Sequence, residues 1–409
     1  MRSDQNQLSE HPFPPESMKN LLKVLPFVAL TFFSWGVYGP VLHVGQEHMA
    51  DMQGLSTLRP FICVGIAYFL IAVVFPLVVL FTKGETGGWS FSGTLWSFYA
   101  GTIGALGALG IILAFKFKGS PVYVMPLVFG CAPVVNTFVT MFMSRTFSEA
   151  SKLFMGSILI VAIGAAGVMY FKPTTSKSKP VLVDNGQSRI EKLTIEGDGQ
   201  KMIRKLAKET GQNGEEVWKP GDEFPLDSQD GKLLLAEYEE EARPRLLLVL
   251  LSIGMTAVCW GSYGPVLHRG QMRMSGSKMR PFLCVGLAYF AIAVILPIIL
   301  LQYFPEKGSF TLKHSSGLAW SLSAGAVGAL GALGIIYAFN FGGKPIFVMP
   351  LVFGMAPVIN TFTTVVVERN FGKLDFLFYV CLLMVIFGAV CVLIFAPRPK
   401  PKKPVSPPS

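Results

Sequence analysis

Apolar residues fall into ten blocks along this chain, and each is almost free of charge. They run over residues 22–42, 60–82, 94–115, 121–143 and 152–171, then 246–267, 281–303, 317–339, 345–367 and 375–396. About 20 apolar residues is the length that spans a bilayer core as a helix. A soluble core would not divide its apolar residues so evenly. The pattern predicts an all-α integral membrane protein with ten transmembrane helices. Polar stretches frame the blocks: a tail at 1–20, a linker at 172–244 and a basic, proline-rich tail at 397–409.

The blocks also form two sets of five that repeat each other. Around Trp35 the chain reads WGVYGPVLHVGQ, and around Trp260 it reads WGSYGPVLHRGQ. RPFICVGIAYF from Arg59 returns as RPFLCVGLAYF from Arg280. GTIGALGALGIILAF from Gly101 returns as GAVGALGALGIIYAF from Gly325, and VMPLVFGCAPVVNTF from Val124 as VMPLVFGMAPVINTF from Val348. The units are therefore 21–171 and 245–396. Five crossings per unit is an odd number, so the second unit enters the membrane from the opposite side. The expected arrangement is two inverted repeats, which in secondary transporters place a binding site near the midplane between them.

Composition narrows the partners. The chain has 409 residues, 51% hydrophobic and 15% charged, against about 25% charged in soluble domains. The net charge of +10 lies in loops and tails, not on one basic face, so nucleic-acid binding is not expected. The cluster Arg398, Lys400, Lys402 and Lys403 reads as a topogenic or lipid-facing tail. Slightly more Lys and Arg sit on the side of the termini, which places both termini inside an inner (plasma) membrane. The first apolar block is too long for a signal-peptide core. The linker reads as a solvated segment with a surface helix near 200–210. The six cysteines lie in apolar blocks with no CxxC pair, and no metal or other cofactor is expected.

Within the blocks, acidic and basic side chains appear only at the edges, so a carboxylate-driven proton relay is not expected. What remains is aromatic and amide chemistry, in both copies. Trp35 and Tyr38 share a helix face, as do Trp260 and Tyr263, and Gly39-Pro40 and Gly264-Pro265 follow them. A proline removes an N–H and frees backbone carbonyls, which at membrane depth must be packed in protein or line a wet cavity. His43 and Gln46, with His268 and Gln271, come next. An interfacial aromatic belt and a cavity wall both fit this set. Asn136, Thr137, Asn360 and Thr361 fit either helix-to-helix hydrogen bonds or solute contact. Tyr68 and Tyr289 are further cavity candidates. Arg59 and Arg280, each before a proline, fit either headgroup snorkelling or a gate. Glycines at 101, 104, 107 and 110, and at 325, 328, 331 and 334, predict close helix packing.

Ten spans in two five-span repeats with polar aromatic first helices resemble the drug/metabolite transporter superfamily, specifically its EamA-like ten-span members. The resemblance covers residues 22–171 and 246–396. It implies a central cavity lined mostly by spans 1, 3, 4, 6, 8 and 9, with spans 5 and 10 peripheral and available for a homodimer contact.

The sequence therefore points to an alternating-access carrier of a small polar metabolite such as a sugar or amino acid. It has no nucleotide-binding, hydrolase or metalloprotease motif and is not expected to be an enzyme. A membrane sensor or scaffold working through 172–244 is the alternative reading.

Overall fold

The computed structural model describes residues 15–49, 56–145, 151–171, 183–184, 188–194, 201–210, 216–242, 245–303, 306, 315–367 and 375–395. The basic tail lies outside these residues. The fold is mostly helical. In the first half come α1 (Pro15–His48), α2 (Leu58–Phe69), α3 (Phe75–Thr82), α4 (Phe91–Lys116), α5 (Pro121–Ser144) and α6 (Lys152–Tyr170). The linker holds β1 (Val183–Asp184), β2 (Ser188–Thr194), β3 (Lys201–Thr210), β4 (Glu216–Pro225) and α7 (Gln229–Ala242). The second half contains α8 (Leu246–Arg273), α9 (Met279–Phe290), α10 (Leu296–Tyr303), α11 (Ser315–Asn340), α12 (Pro345–Val367) and α13 (Phe376–Phe395). Among the described residues, seven helical segments are long and apolar enough to cross a membrane: Lys23–His48, Leu58–Thr82, Phe91–Lys116, Pro121–Ser144, Leu246–Arg273, Met279–Tyr303 and Ser315–Asn340.

Local chemistry sets the helix ends. Ser90 and Ser151 accept hydrogen bonds from Gly93 N (3.0 Å) and Phe154 N (3.1 Å), as N-caps do. α5 starts with Pro121, whose missing N–H is no loss at a first helical position. A π-helical turn joins α2 to α3 over Leu70–Val74, and its twin joins α9 to α10 over Ala291–Ile295. Each lies just before a proline, Pro76 or Pro297. That residue donates no hydrogen bond, and the ladder re-pairs at wider spacing, Phe75 N–H reaching Leu70 O.

The halves interlock. α1 packs along α11, and α8 along α4. The glycine rows are the contact surfaces. A Cβ on Gly331 would strike the Trp35 indole, and one on Gly107 the Trp260 indole. The halves also meet through α2 and α9, which run antiparallel. Gly65 abuts Ala293 and Val294, while Gly286 abuts Ala72 and Val73. Arg59 and Arg280 therefore stand at opposite ends of this helix pair. α6 and α13 pack on each other, with Gly164 and Gly167 against Cys381 and Gly388 against Val161.

One sequence expectation changes here. Residues 201–210 form a strand, not a surface helix. Ile203, Leu206 and Ala207 have helical spacing, but β3 is paired on both edges within an antiparallel sheet of order β1-β2-β3-β4. Ile190, Ile203 and Leu234 form a small core under this sheet. In addition, α1 runs six residues past the end of its apolar block. Glu47 thus lies in the last turn of α1, at the edge of a candidate membrane-crossing helix.

Candidate functional site

α1 and α8 bring Trp35 and Trp260 together across the two halves. Their rings stack with centroids 6.1 Å apart and planes 24° from parallel. Each indole N–H donates to a glycine carbonyl of the opposite half: Trp35 to Gly328 O (3.2 Å) and Trp260 to Gly104 O (3.1 Å). One turn earlier, the hydroxyls of Thr31 and Thr256 donate to Gly331 O (3.0 Å) and Gly107 O (3.1 Å). The missing side chains of the glycine rows are what let these donors reach the backbone.

Tyr38 meets Trp260 edge to face at 5.9 Å, and Tyr263 meets Trp35 the same way at 6.1 Å. Tyr68 and Tyr289 stack on each other where α2 crosses α9. Trp35, Tyr38, Tyr68, Trp260, Tyr263 and Tyr289, with Gly104 and Gly328, line one cavity of about 20 Å³. That space takes a water molecule or so and is too small for a metabolite. The hydroxyls of Tyr38 and Tyr263 are buried without a hydrogen-bond partner. The lining carries no ionic group, and its polar atoms are the hydroxyls, the indole N–H groups and the peptides.

The remaining sequence candidates stand elsewhere. Asn136 and Asn360 do not line the cavity. Asn136 Nδ2 donates to Pro345 O (3.2 Å) and Asn360 Nδ2 to Pro121 O (3.0 Å), so each ties its helix to the start of the other half's equivalent. Thr137 donates to Pro133 O in its own helix, and the Thr361 hydroxyl is buried without a partner; neither residue lines the cavity. Gln46 and Gln271 are joints within each half, donating to Ile112 O (3.3 Å) and Ile336 O (3.1 Å). His43 and His268 pack on Phe115 and Phe339, ring centroids 5.1 and 5.0 Å apart. His43 lines a separate cavity of about 50 Å³ with Pro40, Val44, Glu47, Pro121, Thr364 and Val367. The lining elements also differ from the implied set. α2 and α9 contribute, while α5 and α12, the fourth and ninth blocks, do not.

Arg59 and Arg280 belong to the two ends. At one end, the Glu85 carboxylate accepts from Ser277 Oγ (2.5 Å), Lys278 N (2.7 Å) and Met279 N (3.1 Å), with Arg280 Nη1 3.7 Å away. At the other, the Glu306 carboxylate accepts from Ser56 Oγ (3.0 Å), Thr57 N (2.9 Å) and Leu58 N (3.0 Å), and Arg59 donates to the Glu306 carbonyl. In both cases one half's glutamate caps the other half's second helix.

Sequence reasoning passed over Glu85 and Glu306, and also Phe129 and Phe353. The two phenylalanines complete a ring of four aromatics with Trp35 and Trp260, every neighbouring pair 6.1 Å apart. The signal was there: both pairs occupy equivalent positions in the two copies.

No family model and no curated protein matches the chain. A solved structure described as "Crystal structure of protein" aligns with it at 14% identity and a TM-score of 0.46, over 93% of this chain and 99% of the other.

Proposed function

We propose that this chain is a secondary transporter: ten transmembrane helices in two inverted five-helix repeats, of the EamA-like drug/metabolite type, moving a small polar metabolite by alternating access. α6, α12 and α13 supply the three crossings beyond the seven segments named above. They contain 19, 23 and 20 residues, within the range of membrane-spanning helices. Both termini then lie on one side of an inner or plasma membrane, and the linker on the other.

The observation that carries this reading is the aromatic cavity, formed in equal parts by both halves at their crossing. Each wall is anchored to the opposite half by an indole N–H, so any relative rotation of the halves changes the cavity's shape. The ends are bridged by matched contacts between the halves, the arrangement a carrier needs to open one mouth at a time. With its present volume the cavity corresponds to a closed state. Solute entry then requires the halves to part. The aromatic faces hold the solute, and the free tyrosine hydroxyls orient it.

The test is a thermal-shift screen of the purified protein against a metabolite library, since a ligand of the folded form raises its melting temperature by mass action. Uptake of the hits into proteoliposomes follows. Tyr38→Phe and Tyr263→Phe are expected to weaken both shift and uptake. A protein that binds and carries none of the library, with both mouths intact, would sink the proposal.

The alternative, a sensor or scaffold acting through 172–244, gains from one observation: the linker contains a paired sheet with its own small core. Deleting 180–240 separates the two readings. A carrier keeps its flux, whereas a scaffold loses its function.

A further inference from the structure

The two ends of the helix bundle carry one device, built twice. Glu306 stands 221 positions after Glu85, the spacing that also separates Arg280 from Arg59 and Tyr289 from Tyr68. Each glutamate follows the helix that completes its own half's second crossing, and each reaches across to the start of the other half's second crossing. There its carboxylate meets the same receptor, a serine hydroxyl and two backbone N–H groups at a helix N-terminus, with a first-turn arginine beside it: Arg280 lies 3.7 Å from the Glu85 carboxylate, and Arg59 donates to the Glu306 backbone carbonyl. Such a set binds a carboxylate by charge-assisted hydrogen bonds and by the helix dipole. The antiparallel packing of α2 on α9 puts the two receptors at opposite ends of the molecule, with the Tyr68–Tyr289 stack between them.

From this geometry we infer that Glu85 and Glu306 are the latches of the two mouths, each closing its end by seating its carboxylate in the opposite half's receptor. The inference rests on the carrier reading for its purpose, but not for its test. When the Glu85 latch lifts, its end parts between α3 and α9; when the Glu306 latch lifts, the other end parts between α10 and α2. Removing one carboxylate frees one mouth and leaves the other shut.

The chain supplies its own reporters. Cys63 follows Arg59 by one helical turn and Cys284 follows Arg280 likewise. Both are free thiols and fully buried, at 0% and 2% exposure. Cys63 therefore lies behind the Glu306 latch and Cys284 behind the Glu85 latch. The full chain in lipid nanodiscs is treated with a membrane-impermeant maleimide, and labelling is read peptide by peptide. Glu85→Ala is expected to speed labelling of Cys284 at least about tenfold, worth about 1.4 kcal/mol, and to leave Cys63 at its basal rate. Glu306→Ala is expected to do the reverse. Sodium acetate, whose carboxylate fits the vacated receptor, should slow labelling again where sodium chloride at equal ionic strength does not. If either alanine variant fails to fold, Glu85→Gln and Glu306→Gln keep the volume, and the same thiol selectivity is expected. Equal acceleration of both thiols in each variant, or of neither, overturns the latches. A protein that shows the selective pattern but binds no metabolite keeps its latches and loses the carrier reading.

Discussion

Tyr68 lies face to face on Tyr289, ring centroids 3.6 Å apart and planes 1° from parallel. The pair marks the crossing of α2 and α9, where the two halves meet through equivalent residues. Neither ring can move without the other. The two are therefore expected to be strongly coupled in stability. In a double-mutant cycle of Tyr68→Ala, Tyr289→Ala and the double variant, the coupling should reach about 0.5–1.5 kcal/mol. Denaturation of the four proteins in one detergent measures it, and additive losses would count against a stack that works as a unit.

The glycine rows make a second claim. Gly107→Ala and Gly331→Ala place a methyl against the opposite tryptophan. Each is expected to cost about 1–3 kcal/mol through overpacking and to loosen the indole N–H bond. Gly254→Ala is the control, because a Cβ there meets nothing within 4 Å. In a helix that change is neutral or stabilising, by up to about 1 kcal/mol. Melting temperatures of the three variants should separate cleanly into two groups.

Asn136 and Asn360 should now behave as ties rather than as solute contacts. Alanine at either position is expected to lower stability by about 0.6–2 kcal/mol, the range for interhelical hydrogen bonds in membranes. Flux per folded molecule should persist. Loss of transport without loss of stability would return these residues to the binding site.

The proposed inverted arrangement of ten crossings predicts the sidedness of two lysines. Lys83 ends the second crossing, and Lys232 lies in the linker helix. Cysteines placed at these exposed positions should react with an impermeant label from opposite faces of the membrane. Reaction of both from one face would mean an even number of crossings between them.

Much of the fold was legible because long apolar blocks framed by polar stretches are a simple code for helices. Every apolar block became a helix or a pair of helices joined through a π turn. The ends were less legible, since polar residues such as Gln46 and Glu47 continue a helix as readily as they end one. The strand over Lys201–Thr210 was hidden because Ile203, Leu206 and Ala207 imitate a helical face. Around the cavity, the six aromatics were visible as candidates because the repetition flagged them, although an interfacial belt fitted the tryptophans and their neighbours equally well. The amides were ambiguous for a different reason. A buried Asn must find a partner, but that partner stood 209 positions away for Asn136 and 239 for Asn360, beyond the reach of any local pattern. Glu85 and Glu306 looked like ordinary loop charges until the ends of the opposite helices were seen beside them.

The exchange of partners between halves bears on how the chain is made. Thr31 finds its acceptor 300 residues downstream, and Trp35 finds its own after 293. While the ribosome is still working, α1 has no seat, and its threonine and indole must wait with other company. Contacts of such long sequence separation form late and slowly, and unfinished chains offer sticky surfaces to their neighbours. A nonsense mutation anywhere before α11 would therefore leave not half a working machine but an orphan that cellular quality control must remove.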